Sequence, residues 1–272
     1  MKRSWFAGPY VVWMILFTIA PLLFVAYYAL TDTSGVFTLA NFTKAFEGQY
    51  LSILWRSLYL AFFCTVICIV IGYPAAYFLA SKDFSKSQTL LVLILLPMWM
   101  NFLLRTYAMM SILEDNGLLN RFLTFLGFEP MSMIGTQGAV LLGMVYNYVP
   151  FMILPIHTAL KKMDVRVIEA AQDLGAGPVD VFRRVVLPLS IPGVISGITM
   201  VFMPAVTTFA ISRLLGSGMF LLYGDLIEKQ FLELNNWSFG SSLSMIMMAL
   251  IVLSIGLLNK VDPKRGGGSS AV

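Results

Sequence analysis

Six long apolar runs, separated by short polar stretches, organise the chain: 9–30, 57–80, 90–110, 139–160, 189–212 and 243–259. Each reaches the roughly 17 to 25 residues that a helix needs to cross the hydrocarbon core of a bilayer. Helices satisfy their own backbone hydrogen bonds, which a lipid environment cannot do for them. The pattern predicts an all-α integral membrane protein with six transmembrane helices. Residues 1–54 read as an anchor helix with an outer loop, 55–260 as the transmembrane core, and 261–272 as a flexible tail. Between the fifth and sixth runs, Met219, Leu222, Tyr223, Leu226, Ile227, Gln230, Phe231 and Leu234 recur at helical spacing, with Asp225, Glu228, Lys229 and Glu233 on the other face. That predicts an amphipathic helix across 219–234, a lip over a pore mouth or a helix in the interface.

Several runs carry helix breakers: Gly72 and Pro74, Pro97, Pro150 and Pro155, Pro192 and Gly193, and Pro204. A channel or transporter bundle tolerates them, because neighbouring helices satisfy the freed backbone groups. Gly193 and Gly197 have the spacing of a close helix contact. Lysines and arginines near span ends stay on the cytoplasmic side. Placing both termini there also places Lys2, Arg3, Lys82, Lys86, Lys161, Lys162, Arg166, Arg183, Arg184, Lys260, Lys264 and Arg265 in the cytoplasm. The opposite face then holds Asp32, Glu47, Glu114, Asp115, Glu129, Asp225, Glu228 and Glu233, and is mildly acidic. The first run continues without a small-residue cleavage pattern, as an uncleaved anchor does. The expected location is a plasma or inner cell membrane, crossed several times.

Composition agrees and narrows the chemistry. Hydrophobic residues make up 58% of the chain, charged residues 12%, and the mean hydropathy is +0.83, outside the range of soluble domains. No GxxxxGK[ST] loop occurs, so the chain does not cradle ATP by that route. No Asp or Glu lies in the six run cores, which counts against an ion-gradient transporter with an acidic relay. His157 is the single histidine, and Cys64 and Cys68 sit in an apolar run as small packing residues. Neither catalysis nor a metal site is expected, and the 17 methionines read as lipid-facing and core filler without partner ligands. No cofactor or nucleic acid is implied.

The longest loop on the basic side, 161–188, carries EAAQDLGAGPVDVFRRVVLP. Residues 168–174 are helix formers, Gly175 suits a left-handed C-cap, and Pro178 opens a second short helix expected to end before Pro188. Two helices this short need a partner surface. Ala170 and Ala171 allow close approach, and Glu169 supplies a charge that fixes register.

The order Glu169-Ala170-Ala171, three residues, Gly175, nine residues, Val185, one residue, Leu187-Pro188 resembles the cytoplasmic loop of ABC importer permeases, with valine at 185 where isoleucine is commoner. Ile71-Gly72-Tyr73-Pro74-Ala75-Ala76-Tyr77-Phe78-Leu79-Ala80, residues 97–105, Val149-Pro150-Phe151-Met152 and Asn236-Trp237-Ser238-Phe239-Gly240 resemble permease subunits of spermidine/putrescine importers, closer to the first of the two paired permeases. The resemblance implies the type I importer permease fold and a complex with a second homologous permease, a dimer of ATPase subunits and an external solute-binding protein. It implies that Glu169, Ala170, Ala171, Gly175, Leu187 and Pro188 dock on the ATPase, and that the cargo is a polyamine. Another small solute, such as thiamine or iron, would use the same loop.

Candidates for the transport path are Trp99, Asn101, Arg105, Tyr107, Tyr146, Asn147 and Asp225. Cation binding calls for aromatic faces and acceptor oxygens. Arg105 is the one charge inside a run core, with Asn101 one turn before it. It either shapes the path or snorkels to the interface and pairs with Glu114 or Asp115. The aromatic residues also fit interfacial belts.

Overall fold

A computed structural model describes residues 8–32, 34–81 and 84–261. Lys2, Arg3, Lys82, Lys264, Arg265 and the tail from 262 lie outside them, as does the side chain of Lys86. The elements, in chain order, are α1 (Gly8–Met14), joined through a π-helical turn to α2 (Ala20–Ala29), α3 (Ala40–Ala45), α4 (Gly48–Ala80), α5 (Phe84–Leu95), α6 (Phe102–Leu113), α7 (Leu118–Phe125), α8 (Gln137–Lys161), α9 (Val165–Asp173), α10 (Pro178–Val181), α11 (Leu187–Thr207), α12 (Ala210–Leu215), α13 (Tyr223–Leu232) and α14 (Trp237–Val261). Helices long and apolar enough to cross a membrane cover Tyr10–Ala29, Gly48–Ala80, Gln137–Lys161, Pro178–Thr207 and Trp237–Leu258. A bent pair, Gln88–Trp99 with Phe102–Phe125, makes the sixth span if counted as one.

The run 90–110 is therefore not one straight helix. Its halves meet at 91°, because Pro97 brings no N–H to the ladder and Met100 and Asn101 are extended, with ψ of 150° and 132°. Asn101 Oδ1 then accepts from Leu103 N–H at 2.8 Å and starts a new helix. The prolines at 74, 150, 155, 192 and 204, by contrast, sit inside unbroken helices.

Helices α4, α8 and α11 pack together as the centre of the bundle. Glycines set their spacing: a Cβ on Gly72 would lie 3.0 Å from Met152 Cγ, and one on Gly197 would lie 2.6 Å from Met152 Sδ. The fully buried Met152 side chain of α8 thus fills notches in both neighbours. Along the same seam, a Cβ on Gly193 would meet Ala159 Cβ at 2.6 Å. On the flank, α2 lies against α14, where Ser242 Oγ donates to Ala29 O at 3.0 Å. The span α14 begins at Trp237, earlier than the apolar run suggests, because Asn236 Oδ1 accepts from Phe239 N–H at 3.1 Å and caps a polar first turn.

Candidate functional site: the segment between α8 and α11 and the far-end polar residues

At one end of the bundle, α9 begins where Asp164 Oδ1 accepts from Arg166 N–H at 3.0 Å. It ends at Gly175, whose φ of +82° is the left-handed cap the sequence predicts. Ala176 N–H then donates back to Ala171 O at 3.1 Å. The second helix differs from expectation. It opens at Pro178, but passes through a π-helical turn at Phe182–Val186 straight into α11, so it does not stop before Pro188. Proline at the second position of α11 costs little inside this continuous helix, because the wider π turn already interrupts the regular ladder.

Phe182 roots the segment. Its ring meets Tyr73 at 5.9 Å and Tyr77 at 5.5 Å, both edge to face, and Tyr73 Oη lies 2.8 Å from Ser190 Oγ. Val181 and Val186 are buried beside it. A cavity of about 380 Å³ lies between the segment and the helix ends, bordered by Tyr77, Leu160, Met163, Ile168, Gln172 and Val186. Above that root the predicted docking residues are open. Glu169, Ala170, Gly175, Leu187 and Pro188 are exposed and Ala171 half-buried. Leu174 is 89% exposed, and Val165 and Val179 are also bare. Fixed at its base, the segment presents Val165, Leu174 and Val179 on its free side among exposed charged residues such as Glu169, Asp173 and Arg184.

At the far end the candidates fall on four elements. Trp99, at the bend, is 81% exposed; Tyr107 on α6 and Tyr146 on α8 are exposed in part. Arg105 is 8% exposed, and its Nε has no hydrogen-bond partner among the described residues. Asn147 is 1% exposed; its Nδ2 donates to Gly143 O at 2.9 Å, and its Oδ1 has no hydrogen-bond partner among the described residues. Asn101 is the cap described above, one turn before Arg105. Among the described residues no side-chain hydrogen bond joins any two of these groups. The short helix α12 touches α6, α8 and α13, and so links the elements that carry most of them.

Asp225 departs from the amphipathic pattern. It points inward, 7% exposed, where Oδ2 accepts from Leu222 N–H at 2.8 Å and covers the start of α13. Burial pushes its carboxyl up to about 6, against the opposing hydrogen bond from Leu222 N–H; Glu228 raises it further and Arg213 lowers it. The same helix is tied down by contacts that the sequence did not disclose. Tyr223 N–H donates to Ser57 Oγ on α4 at 2.8 Å. Arg213 bridges Glu228 at 2.9 Å and Glu233 at 3.0 Å. A charge of each sign was visible, but separations of 15 and 20 residues carry no pattern that pairs them. Among the described residues no group of His, Cys, Asp or Glu could hold a metal ion.

An all-helical bundle of apolar spans, with a rooted but uncovered pair of short helices between two of them, defines a membrane translocation subunit. The chain belongs to the family described as binding-protein-dependent transport system inner membrane component, whose model matches residues 4–265. It is similar to the spermidine/putrescine transport system permease protein PotB of Haemophilus influenzae, 39% identical over 92% of this chain and 91% of that one. The PotB of Escherichia coli strain K12 is 38% identical over 91% of this chain and 96% of its own length. The fold is that of a chain in the crystal structure of a bacterial ABC transporter involved in alginate import, with a TM-score of 0.82, 14% identity and 96% of each chain covered. The chain is thus an all-α permease of the type I ABC importer fold.

Proposed function

We propose that the chain is the translocation subunit of an ATP-driven importer that carries polyamines, spermidine or putrescine, into the cell. The observation that carries this reading is the bare α9–α10 segment, rooted through Phe182, Tyr73 and Ser190 on two central helices. A push on Leu174 or Glu169 reaches α4 and α11 through that root. The chain has no phosphate loop of its own, so the push comes from a pair of ATPase subunits docked on Glu169, Ala170, Ala171, Gly175, Leu187 and Pro188. A second, homologous permease completes the pathway, and an external binding protein delivers the cargo. Both termini face the cytoplasm, and lipid covers the outward apolar faces.

Polyamine chemistry is supported by the PotB relatives at 38–39% identity. Aromatic faces for a cation come from Trp99, Tyr107 and Tyr146, and Asn147 Oδ1, buried and without a hydrogen-bond partner among the described residues, becomes an acceptor once the helices around it part. Each aromatic face contributes about 0.5–2 kcal/mol to a partly desolvated cation, enough for passage without retention. Asn101 caps the helix that leaves the bend, Arg105 shapes the path, and Asp225 sets the position of α13 beside the mouth.

Uptake of radiolabelled spermidine and putrescine by the complex in vesicles tests both parts. We expect ATP-dependent uptake, slowed several-fold in Trp99→Leu or Tyr146→Leu with basal ATP hydrolysis unchanged. No polyamine uptake by the intact complex rejects the cargo, and wild-type uptake in both variants rejects the path.

A further inference from the structure

A cavity between α2 and α14, at the far end of the bundle, has a chemistry that neither the docking segment nor the path residues use. Its volume is about 480 Å³, and Tyr27, Tyr28, Asp32 and Trp237 border it. Tyr27 and Tyr28 meet edge to face at 5.7 Å, and Tyr28 meets Trp237 at 6.1 Å. Three ring systems therefore share one space. Asp32 is held at its rim by a tight turn: Oδ1 accepts from Ser34 N–H at 2.8 Å and from Val36 N–H at 3.0 Å, and Gly35 takes a φ of +79°. Those bonds leave Oδ2 without a hydrogen-bond partner among the described residues.

The walls are fixed from several sides. Asn41 Nδ2 donates to Thr31 O at 3.1 Å, Thr31 bridges to Phe37, and the ring of Phe231 backs Trp237 at 5.4 Å. Ser242 ties α14 to the last residue of α2, as described above. No lysine or arginine borders the space. Tyr27 also borders a second, wholly apolar groove with Ala20, Leu23 and Phe24.

Tyrosine and tryptophan often gather at membrane interfaces, but here they border the same cavity as a carboxylate. Ring faces with one carboxylate attract a cation and repel an anion. A bare divalent metal would need several oxygen ligands, and one carboxylate does not supply them. A substituted ammonium group needs less: its N–H bonds reach the carboxylate and its methylene or methyl groups lie on the rings.

We propose that Tyr27, Tyr28, Trp237 and Asp32 form a binding site for an alkylammonium group, separate from the path through Trp99 and Tyr146. Two sources carry that group. One is the headgroup of phosphatidylethanolamine, with an acyl chain in the groove beside Tyr27. The other is a free amine, which on the function proposed above includes the cargo itself.

Fluorine NMR of the full chain, labelled with 5-fluorotryptophan and held with its co-expressed subunits in nanodiscs, decides the matter. Trp237→Phe assigns the resonance. In phosphatidylglycerol nanodiscs, ethylammonium chloride should shift the Trp237 signal saturably. Asp32→Asn should weaken that response about tenfold or more, since its amide oxygen still accepts from Ser34 and Val36 while the charge is gone. In nanodiscs containing phosphatidylethanolamine, a signal already shifted and unresponsive to ethylammonium identifies the lipid as occupant. A signal that still responds identifies a free amine. No saturable shift in either lipid, or a shift indifferent to Asp32→Asn, overturns the site. Polyamine uptake measured on the same preparation reports separately on the transport function: its absence with an intact Trp237 response removes that reading and leaves the site.

Discussion

The hydroxyls of Tyr73 and Ser190, 117 positions apart in the chain, share a hydrogen bond of 2.8 Å. Ser190 Oγ also lies 2.8 Å from Leu187 O, to which it donates. The pair links α4 to α11 directly beneath the exposed α9–α10 segment. The segment is therefore tied to the central helices by a buried polar contact as well as by Phe182.

Tyr73→Phe keeps the ring on Phe182 and the Ser190–Leu187 bond, and removes only the link between helices. One such hydrogen bond contributes about 0.5–1.5 kcal/mol. We expect a small loss of stability in denaturant titration of the purified complex, with a larger loss in the ratio of transport to ATP hydrolysis. An unchanged ratio would show that Phe182 alone carries the motion.

Gly175→Val should disrupt the docking segment for a conformational reason, not a steric one. A Cβ there meets nothing within 4 Å, but φ is +82°, which a β-branched residue resists by about 1–2 kcal/mol. Gly175→Asn, which tolerates this region, should retain most function. Co-purification with the ATPase subunits measures the difference; equal recovery from both variants would argue against a role for this cap.

Gly193→Ala should overpack the α8–α11 seam. Its Cβ would sit 2.6 Å from Ala159 Cβ and 2.7 Å from Pro155 O, and such insertions cost about 1–3 kcal/mol. Gly256→Ala on α14 meets nothing within 4 Å and should be neutral or slightly stabilising. Melting of the two variants in one detergent compares them directly.

Asp225 should make stability depend on pH. Its folded value of about 6 lies above the ordinary 3.8, so the folded state holds its proton more tightly than the unfolded state does. The penalty for ionising it is absent below about 3.8, grows as pH rises, and is complete above about 6. A shift of this size corresponds to on the order of 2–3 kcal/mol. Asp225→Asn keeps an acceptor for Leu222 N–H without the charge. We expect it to melt above wild type at pH about 7.5, with the gap closing as pH falls through the interval set by those two values.

The bilayer, the helical class and the glycine cap at 175 were legible because they depend on local sums. A run of some twenty apolar residues settles its own solvent wherever the rest of the chain lies, and Gly175 settles the cap of α9, whereas the helix opened by Pro178 runs on into α11 instead of stopping before Pro188. The bend was half legible: Pro97 marked a weak point, but only Asn101, capping a new helix, decides that the chain turns by 91° there. Asp225 was read on the polar face because the periodicity of 219–234 counts residues and not partners. The start of the helix at Tyr223 gives its carboxylate a backbone N–H to accept from, so it turns inward. The pairings Tyr73 with Ser190, Arg213 with Glu228 and Glu233, and Trp237 with Tyr28 join residues far apart in the chain. They were decided only in the tertiary structure, because side chains on different helices meet only where the glycine notches around Met152 and the contact of α2 with α14 set the helix spacing.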